Sequence, residues 1–556
     1  MAEEQKEQPF VLRERTLGQI LDEAVQTCPD NDAVIYVDRD YRQTWREFSD
    51  NVDNLAKGLM ALGVQHGEKV AIWATNVPYW VALMFATARI GAILLTVNTN
   101  YRREEIHYLL KQSDCENLFV IDGFRDHDYI QCLYDVVPEL RRQERGHLHS
   151  EDLPHLKRVM FLGVEKHRGM YSLPEIMAMS VMVSDEEYEA RKAQVSPYDV
   201  VNMQYTSGTT GFPKGVMLTH VNIGNNGFWI GENQRFTLKD RVCLPIPLFH
   251  CFGCVLGVMA CVNHASTMVF LESFNALQVM AAIDQERCTA VYGVPTMYLA
   301  ILEHKMFKHF DFSCLRTGIM AGSVCPEPLM RRVMEEMYMK DITICYGLTE
   351  GSPVMTQTTV DDSVELRAAT VGRHMPGIEV TVRDPETNLE VPRGTQGELC
   401  CRGYNVMKGY YNMPEATAST IDKDGWLHSG DLGTMDEAGY VRISGRIKDM
   451  IIRGGENVYP REVEEFLMKM EGVSDVQVVA VPSRKYGEEV GAFIIPLAGA
   501  DIKPEDVKDF CRGQIAWYKI PRYVAIVDAY PLTASGKIMK YKLREWAAER
   551  FPEAMR

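Results

Sequence analysis

Apolar side chains recur at helical spacing after Thr44, as Phe48, Val52, Leu55, Leu59 and Leu62, and Thr44 with Glu47 has the form of a capping box. This predicts an amphipathic helix over 44–62. Short apolar runs alternate with such segments: KVAIWA at 69–74, AILLTV at 92–97 and NLFVI at 117–121. Runs without a polar alternate position predict strands buried on both faces, the mark of parallel sheets in an α/β protein. The pattern returns in TAVYGVP (289–295), RTGIMAG (316–322) and ITICYG (342–347), each ending in Gly or Pro, and the carboxyl ends of such strands are where α/β sheets bind ligands. After Gly394 the texture changes to short strands punctuated by glycine, as in GELCCRG (397–403). GRIKDMIIRGGENVYPREVEEFL (445–467) then reads as a basic turn, a strand, a glycine pair and a helix opened by Pro460. The expected organisation is a large α/β domain with parallel-rich sheets and a Gly-punctuated β subdomain over 1–447, followed by a small α+β domain over 448–556.

Val242 to Leu271 contains no Asp, Glu, Lys or Arg, but Pro245, Pro247, His250, Asn263 and His264 argue against a membrane span. It reads instead as buried strand, active-site loop and core helix. Charge narrows the partners: 59 Lys and Arg against 76 Asp and Glu leave a net charge of −17, which disfavours binding of nucleic acid through its phosphates. The residues from Met450 onward are balanced at 16 basic and 16 acidic, so the deficit lies in the first 449 and any anion there must be held by local devices. Fourteen cysteines and an acidic start, MAEEQKEQPF, fit a reducing compartment, with the cytoplasm the simplest expectation. Cys251 and Cys254 lack a second pair at metal-site spacing and read as core thiols.

YTSGTTGFPKG (205–215) combines small residues, hydroxyls and one lysine. Backbone N–H groups approach an anion closely where side chains are small, and Thr206, Ser207, Thr209 and Thr210 add hydroxyl donors around Gly208, with Lys214 as the single cation. The string suits a polyphosphate yet is not a Walker A loop, because Pro213 precedes Lys214 and Gly215 follows it. A plain turn between strand and helix would account for the glycines but not for the hydroxyls with lysine.

The loop resembles that of the adenylate-forming superfamily, and further motifs follow in that superfamily's order: YGLTE (346–350), GWLHSGD (425–431), GRIKDMIIRGGENVYP (445–460) and PLTASGKI (531–538). The resemblance covers nearly the whole chain and is strongest to fatty-acyl-CoA synthetases, especially the medium-chain type. It implies ATP, Mg²⁺ and CoA as cosubstrates, an acyl-adenylate intermediate and a mobile C-terminal domain pivoting at Lys448, where many relatives carry aspartate. Lys537 is then the cation between substrate carboxylate and α-phosphate, Glu350 the Mg²⁺ ligand and Thr349 a donor to the α-phosphate. Tyr346 offers a face to adenine, with Gly322 and Ser323 opposite and Gly347 adjoining. Asp431 and Arg446 fall to the ribose, and Gly454 and Gly455 to the approach of CoA. Seen without their motifs, Thr349 and Glu350 also read as a helix cap and first-turn acid, Tyr346 as a core aromatic, and Asp431, Arg446 and Lys537 as turn or surface charges.

His250 in PLFHCFG matches a position that borders the acyl group in relatives, with Trp229, Gly253, Gly293 and Gly347 around the pocket; a lone histidine in an apolar stretch also reads as a core residue. The lack of a charged residue at these positions favours an uncharged apolar acid. The implied activity is ligation of a medium- or long-chain fatty acid to CoA, leaving room for peripheral membrane contact and for a homodimer. The rivals are acyl loading onto a carrier-protein thiol, a luciferase-like oxygenase and a non-catalytic nucleotide sensor.

Overall fold

The computed structural model describes residues 10–206, 213–323, 325–454, 456–533 and 536–552. The first expected helix forms as Trp45–Ala61, with both halves of the Thr44 and Glu47 capping box made. Phe48, Val52, Leu55 and Leu59 are buried, while Leu62 caps the C-terminal end and is half-buried.

Packing divides the chain into two compact units, Met1–Val380 with Cys401–Leu427, and Thr381–Cys400 with His428–Arg556. The first holds two large sheets with parallel centres. In one, the order is Arg373–His374, Val354–Gln357, Asp341–Gly347, Thr317–Met320, Ala290–Gly293, Arg241–Leu244, Thr267–Phe270, Asp32–Tyr36 and Tyr41–Thr44. Its six strands from Asp341–Gly347 to Asp32–Tyr36 are parallel. In the other, the order is Gly409–Tyr410, Lys214–Thr219, Val200–Thr206, Ile93–Thr96, Lys69–Trp73, Asn117–Val120, Arg158–Phe161 and Met170–Ser172. Lys69–Trp73, Asn117–Val120, Ala290–Gly293 and Thr317–Met320 are buried at every position, which is why they read as unbroken apolar runs.

The uncharged stretch from Val242 to Leu271 begins in the strand Arg241–Leu244 and continues into a π-wound helix, Phe252–Met259, all of it buried. A short α-helical turn, Ala260–Asn263, and a second strand, Thr267–Phe270, complete it. This second strand is a feature that the reading as strand, loop and helix did not separate. Among the described residues no helix is long and apolar enough to cross a membrane.

In the second unit Asp431 to Met435, from the strand Leu427–Met435, pairs antiparallel with Val441–Arg446. Beyond them a five-stranded sheet is built on the long hairpin Val473–Ser483 and Gly487–Pro496, extended by Ile451–Arg453, Glu456–Val458 and Tyr523–Ile526. Helices Pro460–Leu467, Pro504–Cys511 and Lys540–Arg550 accompany it, and its buried clusters draw only on residues from Ile451 onward. Lys448 lies on the short 3₁₀ turn Ile447–Asp449 inside this unit.

Candidate active site

The phosphate-loop motif sits at a hairpin. Val200–Thr206 and Lys214–Thr219 pair antiparallel so that Thr206 and Lys214 are cross-strand partners at its mouth. Ser207, Gly208, Thr209 and Thr210 lie outside the described residues. Tyr108 ties down the returning strand by donating to the Pro213 carbonyl at 3.0 Å. The strand Gly409–Tyr410 then pairs with the returning strand, placing Tyr410 opposite Val216.

This topology assembles a constellation on one carboxylate. Glu350 stands on the 3₁₀ turn Thr349–Gly351, immediately after the strand Asp341–Gly347. Its Oε1 accepts from the Tyr410 hydroxyl at 2.8 Å and from Thr206 Oγ1 at 3.4 Å. Lys214 Nζ lies 4.6 Å from the centroid of the Tyr410 ring. Burial first, and then the Glu350 charge, push the Tyr410 phenol well above its ordinary pKa, so it stays protonated and acts as donor. The sequence reading placed Thr206, Lys214 and Glu350 in the site but missed Tyr410. Its only local signal is the glycine and aromatic pair in KGYY, and its partner strand lies far away in the chain.

Thr349, also on that turn, is buried, and its Oγ1 lies 3.7 Å from the Cys251 thiol. Cys251 Sγ is in turn 3.6 Å from His250 Nδ1, and that nitrogen accepts the Phe252 N–H at 3.1 Å. Because an amide can only donate, Nδ1 carries a lone pair and any proton of a neutral ring sits on Nε2. His250 thus opens the buried π-wound helix with a fixed orientation, next to the turn that carries Thr349 and Glu350. π-Helical turns concentrate at functional sites. Tyr346 and the pair Gly322 and Ser323 are brought to the same sheet edge by the parallel pairing of Asp341–Gly347 with Thr317–Met320. Gly322 has φ +91°, a left-handed conformation that favours glycine. Gly253 is needed for close packing, since a Cβ there would come 2.4 Å from the Pro247 carbonyl oxygen. Gly293 has ordinary space around it beyond the Tyr298 ring at 3.2 Å, and Trp229 packs edge-on against Phe228 with centroids 5.2 Å apart.

The second unit carries the remaining motif residues. Asp431 and Arg446 are cross-strand partners, and Arg446 Nε donates to Asp431 Oδ1 at 3.0 Å. The turn before Asp431 is held by Glu398, whose carboxylate accepts the Gly430 N–H at 2.8 Å and meets His428 Nδ1 at 2.7 Å. Gly454 takes φ +62° between Ile451–Arg453 and Glu456–Val458 and donates its N–H to the Tyr486 carbonyl at 2.8 Å; Gly455 lies outside the described residues. Lys537 is presented by a loop closed at its base by the Leu532–Ile538 bridge. Within it Thr533 N–H donates to the Lys537 carbonyl at 2.7 Å and Lys537 N–H to Thr533 Oγ1 at 3.0 Å. Three residues on, Lys540 Nζ reaches Glu464 Oε1 at 2.7 Å, pinning the end of the loop to the helix Pro460–Leu467.

Among the described residues, one three-ligand group and the carboxylate of Glu350 bear on a bound cation. Glu398, Cys400 and His428 group within 4.8 Å, but thiol, imidazole and carboxylate do not suit Mg²⁺, which takes oxygen donors, and the carboxylate is already hydrogen-bonded within the group. Glu350 fits. Among the described residues its carboxylate meets two neutral hydroxyls and no cation, and it stands beside the hairpin that carries the phosphate-loop motif.

The AMP-binding enzyme family matches residues 21–411, and the AMP-binding enzyme C-terminal domain matches residues 462–537. The chain belongs to this family. The provisionally named acyl-CoA synthetase YngI of Bacillus subtilis (strain 168) is 51% identical over 536 residues, covering 96% of this chain and 98% of that relative. The human medium-chain acyl-CoA ligase ACSF2, mitochondrial, is 39% identical over 540 residues, with coverage of 96% and 88%. Among solved structures, ATP-bound MatB from Rhodopseudomonas palustris aligns with a TM-score of 0.81 at 28% identity, covering 96% of this chain and 99% of MatB. The anthranilate CoA ligase AuaEII in complex with anthranoyl-AMP aligns with a TM-score of 0.83 at 26% identity, covering 97% and 98%. Within the AMP-binding enzymes the chain falls in the acyl-CoA synthetase branch, as an ATP-dependent, AMP-forming ligase.

Proposed function

We propose that the protein activates a medium- or long-chain fatty acid as its acyl-adenylate and passes the acyl group to CoA, within a reducing compartment such as the cytoplasm. The observation that carries the reading is the convergence of Thr206 and Tyr410 on Glu350 at the mouth of the phosphate-loop hairpin, with Lys214 over the Tyr410 ring. The choice of acid is supported by the medium-chain name of ACSF2 and by the buried, uncharged helix that His250 opens. Fourteen free thiols support the compartment.

A carboxylate resists attack by a thiol because it is anionic and lacks a good leaving group. Joining it to AMP removes both faults, at the cost of bringing two anions together. The groups that relieve this repulsion are the donors of the 205–215 loop, Thr349 and the ammonium of Lys537. Bound Mg²⁺, held through Glu350, supplies neutralisation of phosphate charge. Tyr346 with Gly322 and Ser323 receives adenine, and Asp431 with Arg446 receives the ribose, the arginine giving up part of its contact with the carboxylate. His250 borders the acyl carbon chain. For the second step Gly454 and Gly455 allow close approach of CoA, and the polypeptide pivots at Lys448 so that 1–447 and 448–556 act as separate bodies.

The test is acid-dependent exchange of labelled pyrophosphate into ATP across short, medium, long and aromatic acids. Exchange is expected to peak with medium or long aliphatic acids. Lys537→Ala is expected to lower it roughly 100-fold or more while sparing thioester formation from supplied acyl-adenylate. Equal loss of both steps, or exchange with none of the aliphatic acids, would refute the proposal.

A further inference from the structure

We propose that Tyr410 is a positioning residue for the Mg²⁺-binding carboxylate of Glu350, and that Lys214 sets Tyr410 in turn, so that the returning strand of the hairpin reaches the metal site through an aromatic ring. The inference rests on the assignment of Glu350 to Mg²⁺.

Tyr410 is held on every side that matters. The residue is 6% exposed, and its N–H donates to Thr417 Oγ1 at 2.9 Å. Its strand is paired with the returning strand of the loop through Val216, and the next residue, Tyr411, donates to the Gly215 carbonyl at 2.8 Å. The ring so placed carries its hydroxyl to Glu350 Oε1, with the Thr420 side chain as the other partner of the phenol oxygen. Thr206 donates to the same oxygen. With both donors on Oε1, the carboxylate is locked in rotation and Oε2 remains the oxygen to which no described side chain donates, available to a hard cation. Lys214 lies over the ring face, where its ammonium is attracted by the π cloud. Thr206 and Lys214 are cross-strand partners, so the two ends of the loop approach the carboxylate by separate routes, one direct and one through the ring.

A tyrosine that merely packed would tolerate loss of its hydroxyl. Tyr410→Phe keeps the ring, the strand pairing and the lysine contact and removes the hydroxyl that Glu350 and Thr420 share. The experiment titrates ATP into the full-length protein by calorimetry at graded Mg²⁺, with melting temperature as the control for folding. Tyr410→Phe is expected to raise the Mg²⁺ concentration for half-maximal ATP affinity about 10-fold, the size of one lost hydrogen bond to a charged group, and to leave affinity at saturating Mg²⁺ close to the parent's. Lys214→Met is expected to raise the requirement less, and to add nothing further in the Tyr410→Phe background. An unchanged requirement in Tyr410→Phe overturns the proposal for Tyr410, and additive effects overturn the route through Lys214. If the phenylalanine variant melts early, 3-fluorotyrosine at 410, a stronger donor of almost the same size, should lower the requirement; no displacement there also overturns the proposal. Glu350→Gln, run in parallel, separates the two levels: a parental Mg²⁺ requirement in that variant refutes the metal assignment itself.

Discussion

A Cβ added to Gly347 would lie 1.8 Å from the Pro353 carbonyl oxygen, because Leu348 N–H bonds that carbonyl and draws the two backbones together. The glycine beside Tyr346 therefore answers a packing need whatever it does for ligand. Gly347→Ala is expected to destabilise the protein by about 2 kcal/mol, seen as a lower midpoint in thermal or urea melting. Single residues were legible where a motif names a chemistry: Thr206, Lys214 and Glu350 were marked by the phosphate loop and YGLTE, and the structure brings them together. Tyr410 was not legible, because its role depends on strand pairing with Val216, which no local pattern encodes. His428 and Glu398 were missed for the same reason: one anchors the turn of the other through a contact made across the fold.

Elements were read more surely than their ends. Capping chemistry set the start of Trp45–Ala61, and burial on both faces marked the parallel strands, but where each strand stops depends on neighbours. The strand Val473–Ser483 carries an element-level liability. Asp475 on it is pushed up to about 6 by burial and by the nearby Glu464 carboxylate, against the pull of the Val476 N–H. A carboxyl whose folded-state pKa lies above its unfolded value contributes stability in full below the unfolded pKa and loses that contribution as pH rises through about 6. Asp475→Asn imitates the protonated form and keeps an acceptor for Val476 N–H. It should therefore raise the melting temperature at pH 8, with the gain fading by pH 5; an equal gain at both values would refute the assignment.

The whole molecule joins a large α/β unit to one whose strands and helices from Ile451 onward have their own buried clusters. Residues 448–556 made alone should accordingly give a dispersed amide spectrum and a cooperative melt; a disordered spectrum would show that Thr381–Cys400 or the hairpin after His428 is indispensable. That second stretch was not legible, since membership of a packing unit by a segment distant in sequence leaves no compositional trace. The change of texture after Gly394 registered the altered architecture without its partition.

The edge of the second large sheet also bears on biosynthesis. Lys214–Thr219, paired on one side with Val200–Thr206, waits for Gly409–Tyr410 on the other, so a nascent chain that has emerged only as far as residue 400 exposes an open sheet edge beside an unfinished nucleotide site. Ribosome stalling within that window would yield a species prone to self-association and deaf to ATP, and chaperone contact should fall away once the KGYY segment clears the exit tunnel.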